Sequence, residues 1–158
     1  MSMDWAILHW LRDTLTCPAL DVLMPKITML GDNGAVWLLA AGGLAAGVLL
    51  GNVVLKNLIA RPRPCWLDTN VKILIQKPTD YSFPSGHTLS SVIGATILTK
   101  TDRRFGYAAI PLAALIAFSR LYLYVHFPTD ILGAAILGVG IGLAACAAGD
   151  RVKKIMKR

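Results

Sequence analysis

Ser119-Arg120-Leu121-Tyr122-Leu123-Tyr124-Val125-His126-Phe127-Pro128-Thr129-Asp130 places an Arg, a His and an Asp between two apolar runs, Phe105 to Ser119 and Ile131 to Gly149. Taken with their flanks, both runs have the length of membrane spans. Ionisable groups beside hydrocarbon are costly, so a cluster of them marks a functional site by default. Pro128 stands where the second run opens, and Pro is well suited to a first helical position. The stretch therefore reads as the junction of two spans.

The rest of the 158-residue chain agrees. It is 55% hydrophobic and only 16% charged, whereas a soluble domain carries about 25% charged residues. The fold expected is all-α: a polytopic transmembrane bundle of about five to six helices. A net charge of +7 in a soluble protein would point to nucleic acid. Here the basic residues fill short segments between apolar runs, which fits membrane topology and anionic ligands instead. Cys17, Cys65 and Cys146 are odd in number and lack metal-ligand spacing, so they read as small packing residues. The start, Met-Ser-Met-Asp, lacks the basic region of a signal peptide.

One integral membrane domain is expected over residues 1–158, with an N-terminal helical part at 4–30, a catalytic bundle at 33–149 and a basic tail at 150–158. Residues 4–15 form an amphipathic pattern: Trp5, Leu8, Leu11 and Leu15 recur at helical spacing, while Asp4, Arg12 and Asp13 fall off the stripe. Trp5 and Trp10 suit a membrane interface. Pro18 interrupts the pattern. Residues 19–30 then continue as the rest of a kinked first span or as a partly submerged helix, and Leu30 to Gly34 reads as a turn. Asn33 to Leu55 is uncharged, with Gly42, Gly43, Gly47 and Gly51 permitting close helix contact. Residues 61–82 form a polar, proline-bearing loop. Phe83 to Thr99 is a further span. Ala134, Gly138 and Gly142 give the last helix a small-residue packing face.

The turn at 100–104 and the tail at 150–158 are both basic, which places them on the cytoplasmic side if the last two helices each cross once. Arg63, His87 and His126 then lie together at the outer or periplasmic membrane–water interface.

At that depth Lys56, Arg63 and Arg120 converge from three segments. Guanidinium forks match phosphate oxygens and an ammonium adds a point charge; the bland alternative is that they merely anchor span ends. Pro84-Ser85-Gly86-His87 opens a helix, so Ser85 and Gly86 are candidate donors to an anion, or an ordinary cap and turn. His126 and Asp130 are four residues apart, a spacing that lets a carboxylate orient an imidazole. His126 could then be a nucleophile and His87 a proton donor to the leaving oxygen. A metal site would need His9, His87 or His126 with Asp68, Asp80 or Asp130, but the crowding cations disfavour it; His9 reads as interfacial.

These residues resemble the signature of the type 2 phosphatidic acid phosphatase superfamily: Lys56-x6-Arg63-Pro64, then Pro84-Ser85-Gly86-His87, then Ser119-Arg120-x5-His126-x3-Asp130. The resemblance implies that His126 attacks phosphorus, Asp130 orients it, and His87 is the general acid. It further implies that Lys56, Arg63, Ser85, Gly86 and Arg120 hold the phosphoryl oxygens, and that neither metal nor cofactor takes part. Membrane members of the family usually have six spans, with two between the first helix and the Lys-x6-Arg-Pro motif; only the 23 uncharged residues Asn33 to Leu55 fill that place here, so either the chain has about five crossings or a connecting segment is absent from this sequence. The expected activity is hydrolysis of a lipid phosphomonoester or pyrophosphate in the bilayer. Undecaprenyl pyrophosphate, phosphatidic acid and phosphatidylglycerol phosphate are the candidate substrates. The competing readings are a non-catalytic phospholipid-binding or transport protein, and a vanadate-dependent oxidation centre.

Overall fold

A computed structural model describes residues 3–32, 45, 47 and 49–156. Among the described residues every regular element is helical. Helix α1 is Met3–Leu15 and α2 is Pro18–Asp32; π-helical turns at Leu49–Leu55 run into the single turn α3, Lys56–Ile59; α4 is Pro64–Leu67, α5 is Gly86–Thr101, α6 is Arg103–Tyr122 and α7 is Pro128–Met156. Most of the predicted span at 33–55, with Gly42 and Gly43, lies outside the described residues.

Helices α5, α6 and α7 carry the bundle, with α5 packed against both others. The predicted small-residue face accounts for its fit to α7. Ala134 is fully buried beside Leu89 and Ile93. A Cβ at Gly138 would stand 2.9 Å from Val92, and one at Gly142 would stand 2.7 Å from Thr96. Gly47 and Gly51 approach the same helix: a Cβ at either would come within 2.2 Å of Ile93 or Leu89, respectively. In hydrocarbon, where burial of apolar surface gives little drive between helices, such close backbone approach is what holds them together.

Among the described residues two helices are long and apolar enough to cross a bilayer, Arg103–Tyr122 and Pro128–Arg151. Helix α5, with 16 residues, is roughly 24 Å long. It begins at Gly86, two residues after Pro84, with Phe83 and Pro84 forming a bend and Ser85 extended before it.

Local chemistry sets the other ends. The expected basic turn at 100–104 shrinks to Asp102, whose carboxylate accepts from Arg104 N at 2.9 Å and caps α6. Pro18 starts α2 instead of kinking one long helix. Helix α2 continues through Asp32, so residues 30–32 of the predicted turn are helical. Helix α7 passes Gly149 and takes in the basic tail to Met156; Asp150-Arg-Val-Lys-Lys holds no Gly or Pro that would stop it.

The first helix also departs from its predicted polarity. Leu8 and Leu11 face inward as expected, but so does Asp4. Trp5 packs edge-on against Phe127 at 5.3 Å and stacks on His9 at 5.7 Å. Trp10 remains 59% exposed.

Candidate active site

The three motifs meet at one end of the bundle, where α5 begins, α6 ends and α7 begins. A cavity of about 800 Å³ opens there, lined by Lys56, Arg63, Gly86, His87, Arg120 and His126, with the loop residues 75–80 across its mouth. Of the eight residues expected from sequence, these six reach the cavity. Asp130 stands behind His126, and Ser85 is fully buried at the foot of α5.

His126 is delivered by a tight reversal after α6. Tyr124, 1% exposed, takes a left-handed backbone conformation with φ 59°, which costs a non-glycine residue about 1–3 kcal/mol. Its packing against Trp5 and its hydroxyl bond to Asp68 hold it there. The reversal turns the His126 ring toward Arg63, whose Nη1 lies 3.0 Å from Nε2 and also donates to Val125 O at 2.8 Å. Guanidinium has only protons to offer, so Nε2 must present its lone pair. The ring proton is therefore on Nδ1, which faces Asp130 Oδ2 at 3.6 Å. Burial pushes the imidazole down to about 3, and the Arg63 and Arg120 charges add to this against the opposing pull of Asp130. His126 is thus a neutral imidazole on the cavity wall, with its Nε2 electron pair accepting from Arg63.

Asp130 is fixed from all sides. Its Oδ2 accepts from Phe127 N at 2.8 Å and from Ser82 Oγ, and its Oδ1 accepts from Arg61 Nη1 at 2.7 Å. Arg61 also donates through Nη2 to Asp4 at 2.7 Å and lies 4.2 Å over the Phe127 ring.

The phosphate-holding candidates are buried cations. Arg63 is 2% exposed, Arg120 4% and Lys56 5%. Arg120 Nη1 donates to Thr28 Oγ1 at 2.5 Å, which ties the site to α2. Lys56 Nζ and Arg63 Nη2 both bond the Asp80 carboxylate, the latter at 2.7 Å, and Arg63 Nε donates to Asp80 O at 2.7 Å. Burial raises the Asp80 carboxyl, but Lys56 and Arg63 outweigh it and hold it at about 2.

Ser85 occupies the N-cap position of α5 without making a side-chain cap bond. Its Oγ instead accepts from Thr88 Oγ1 at 3.1 Å, leaving its own proton to give elsewhere. Gly86 is required by its neighbour: a Cβ there would meet the Asn52 side chain at 2.7 Å.

Sequence reading missed Arg61, Ser82, Asn52 and Thr28, and saw Asp80 only as a possible metal ligand. Arg61 stands two residues before Arg63 and Ser82 three before Ser85, so proximity to a motif was their one signal. Thr28 and Asn52 gave none. Among the described residues no three His, Cys, Asp or Glu side chains gather as a metal site.

The PAP2 superfamily model matches residues 35–153. This chain belongs to that superfamily. It is 38% identical over 92 residues to an undecaprenyl-diphosphatase of Sulfolobus acidocaldarius, covering 58% of this chain and 44% of that one. It is 31% identical over 104 residues to the undecaprenyl-diphosphatase BcrC of Bacillus subtilis, covering 66% and 53%. The chain thus spans about half the length of these two relatives. The crystal structure of a transmembrane PAP2 type phosphatidylglycerolphosphate phosphatase from Bacillus subtilis superposes with a TM-score of 0.78 at 26% identity, covering 94% of this chain and 85% of that one. Together with this likeness to a transmembrane phosphatase, the two apolar helices among its described residues make the chain a helical membrane protein.

Proposed function

We propose that the chain is a metal-independent membrane lipid phosphatase that cleaves a phosphomonoester or pyrophosphate through a phosphohistidine on His126. The observation that carries this reading is the Arg63 contact to His126 Nε2, which marks that nitrogen as the unprotonated one, on the wall of a cavity it shares with the buried cations Lys56, Arg63 and Arg120. A site that only bound lipid phosphate would need the cations but not an unprotonated imidazole backed by a carboxylate.

Lys56, Arg63 and Arg120 hold the phosphoryl oxygens, with Gly86 N–H and Ser85 completing the cradle. As the Arg63 guanidinium turns from Nε2 to a phosphoryl oxygen, the released Nε2 pair forms a bond to phosphorus, the bond to the lipid oxygen breaks, and His87 gives that oxygen its proton. Asp130 balances the charge on the phosphorylated ring. Water then attacks phosphorus, the N–P bond breaks, Nε2 regains its pair and His87 takes the proton of the water. Asp130 and its ligands act as positioning groups throughout.

Residues 1–158 form one domain of about five to six crossings. The short-loop charges put the tail in the cytoplasm and the site at the outer or periplasmic face. There the lipid tail stays between helices while the headgroup enters the cavity. The names of the relatives support undecaprenyl pyrophosphate and phosphatidylglycerol phosphate as substrates, and phosphatidic acid has the same terminal phosphate.

Phosphate release from these three lipids in detergent tests the reading. Wild type should turn over at least one, with or without a chelator. His126→Ala should remain folded and lose about 10³-fold or more in rate. Full activity in that variant would remove the nucleophile, and chelator loss restored by Mg²⁺ would bring in a metal. Binding of all three lipids without release would leave the binding-protein reading standing.

A further inference from the structure

The cationic pocket already holds an anion of the chain itself. Asp80 reaches it from the loop between α4 and α5, with its side chain 54% exposed while those of Lys56 and Arg63 are 7% and 3% exposed. One carboxylate oxygen lies on Lys56 Nζ and the other on Arg63 Nη2. Two of the three cations proposed to grip phosphate are thus bridged by an anion of the chain itself, and both bridging donors are ones a phosphoryl group would need.

The geometry points to Asp80 as the charge-selecting residue of this site: its carboxylate fills the Lys56–Arg63 half of the phosphate subsite and yields it to a dianionic terminal phosphate but not to a monoanionic phosphodiester. The inference rests on the phosphatase reading and names the substrate class within it. The reason is competition between anions for the same donors. A terminal phosphate carries up to two charges near neutral pH and three acceptor oxygens. It outbids a carboxylate with one charge and two oxygens. A phosphodiester has one charge and two free oxygens, so against Lys56 and Arg63 it has no electrostatic advantage over the anion already there. The distinction matters in a bilayer, because phosphodiester headgroups are the commonest anions at its surface and would otherwise fill the pocket.

Asp80 can act this way across the working pH range, since the same two cations hold its carboxyl at about 2. Its neighbours Gln76, Lys77 and Thr79 line the mouth and are exposed, so an incoming headgroup meets the Asp80 carboxylate from the solvent side.

The test compares wild type with Asp80→Asn, and with Asp80→Ser in case the amide does not fold. Hydrolysis of a lipid phosphomonoester is measured in mixed micelles at pH 7 with increasing phosphatidylglycerol, against an equal mole fraction of a neutral diacyl lipid as the dilution control. Wild type should be indifferent to the phosphodiester. The variants should be inhibited competitively, with an inhibition constant at least about ten-fold lower than that of wild type. Inorganic phosphate should also inhibit the variants more tightly and raise their melting temperature further than it raises that of wild type. Unchanged inhibition constants would overturn the inference. A KM raised in the variants with no new sensitivity to phosphatidylglycerol would also overturn it, and would make Asp80 only an aligner of Lys56 and Arg63. If no form releases phosphate, the phosphatase reading fails, and the melting shift with inorganic phosphate still decides whether Asp80 guards the pocket.

Discussion

His126 carries a cost that the site imposes on the fold. In the unfolded chain an imidazole takes a proton near pH 6.5; in the folded protein it does so only near 3. Between these values the unfolded state binds the extra proton, so stability falls as the medium is acidified through that window and the loss is complete below about 3. One such group contributes a slope of at most about 1.4 kcal/mol per pH unit. The melting temperature of wild type should therefore drop more steeply between pH 6 and 4 than that of His126→Asn, which has no titrating ring. Parallel profiles would mean that His126 is protonated in the native state, and would remove the unprotonated Nε2 on which attack depends. The spacing of His126 and Asp130 was legible in the sequence. The direction in which the Nε2 electron pair points was not, because it is set by Arg63, 63 residues away.

Among the elements, the contact between α5 and α7 follows most directly from sequence. A small residue at every fourth position of α7 forms a strip along one face, and Leu89, Val92, Ile93 and Thr96 settle into it. Gly138 and Gly140 test this within one helix. A Cβ at Gly138 would meet Val92 Cβ at 2.9 Å and the Leu89 carbonyl at 3.2 Å, whereas one at Gly140 would meet nothing within 4 Å. Gly138→Ala should lower stability in detergent by about 1–3 kcal/mol through overpacking. Gly140→Ala should be neutral, or stabilising by up to about 1 kcal/mol through helix propensity. Equal effects would show that the strip is not the contact. Ends of elements were less legible. The predicted polar tail became helix because charged residues alone do not stop a helix, and the predicted turn at 100–104 contracted because one capping Asp is sufficient.

At the scale of the whole molecule, α1 is joined to the catalytic end through charge. Asp4 accepts from Arg61 and from Thr129 Oγ1 at 2.8 Å, and Arg61 in turn holds Asp130. Asp4→Ala would leave the Arg61 guanidinium with one anionic partner in place of two. A loss of about 1.5–3 kcal/mol is expected for such a charged hydrogen-bonded group. Limited proteolysis should find α1 cut earlier in this variant than in wild type. A melting curve and cleavage pattern identical to those of wild type would show that α1 docks through Trp5 and Leu8 alone.

By itself the sequence determined the helical membrane class, the three motifs and the packing strip. All of these depend on residues close together in the chain, where span length, helical period and short spacings are written directly. Tertiary structure alone decided the partners of the charges. Asp80 finds Lys56 across 24 residues and Asp4 finds Thr129 across 125. A buried charge such as that of Lys56 or Arg63 must be paired by whatever the fold brings near it, and that pairing leaves no trace in spacing. For this reason the eight residues of the motifs were found first, and the Asp80 carboxylate lying across two of them became visible only when the loop was seen folded over the cavity.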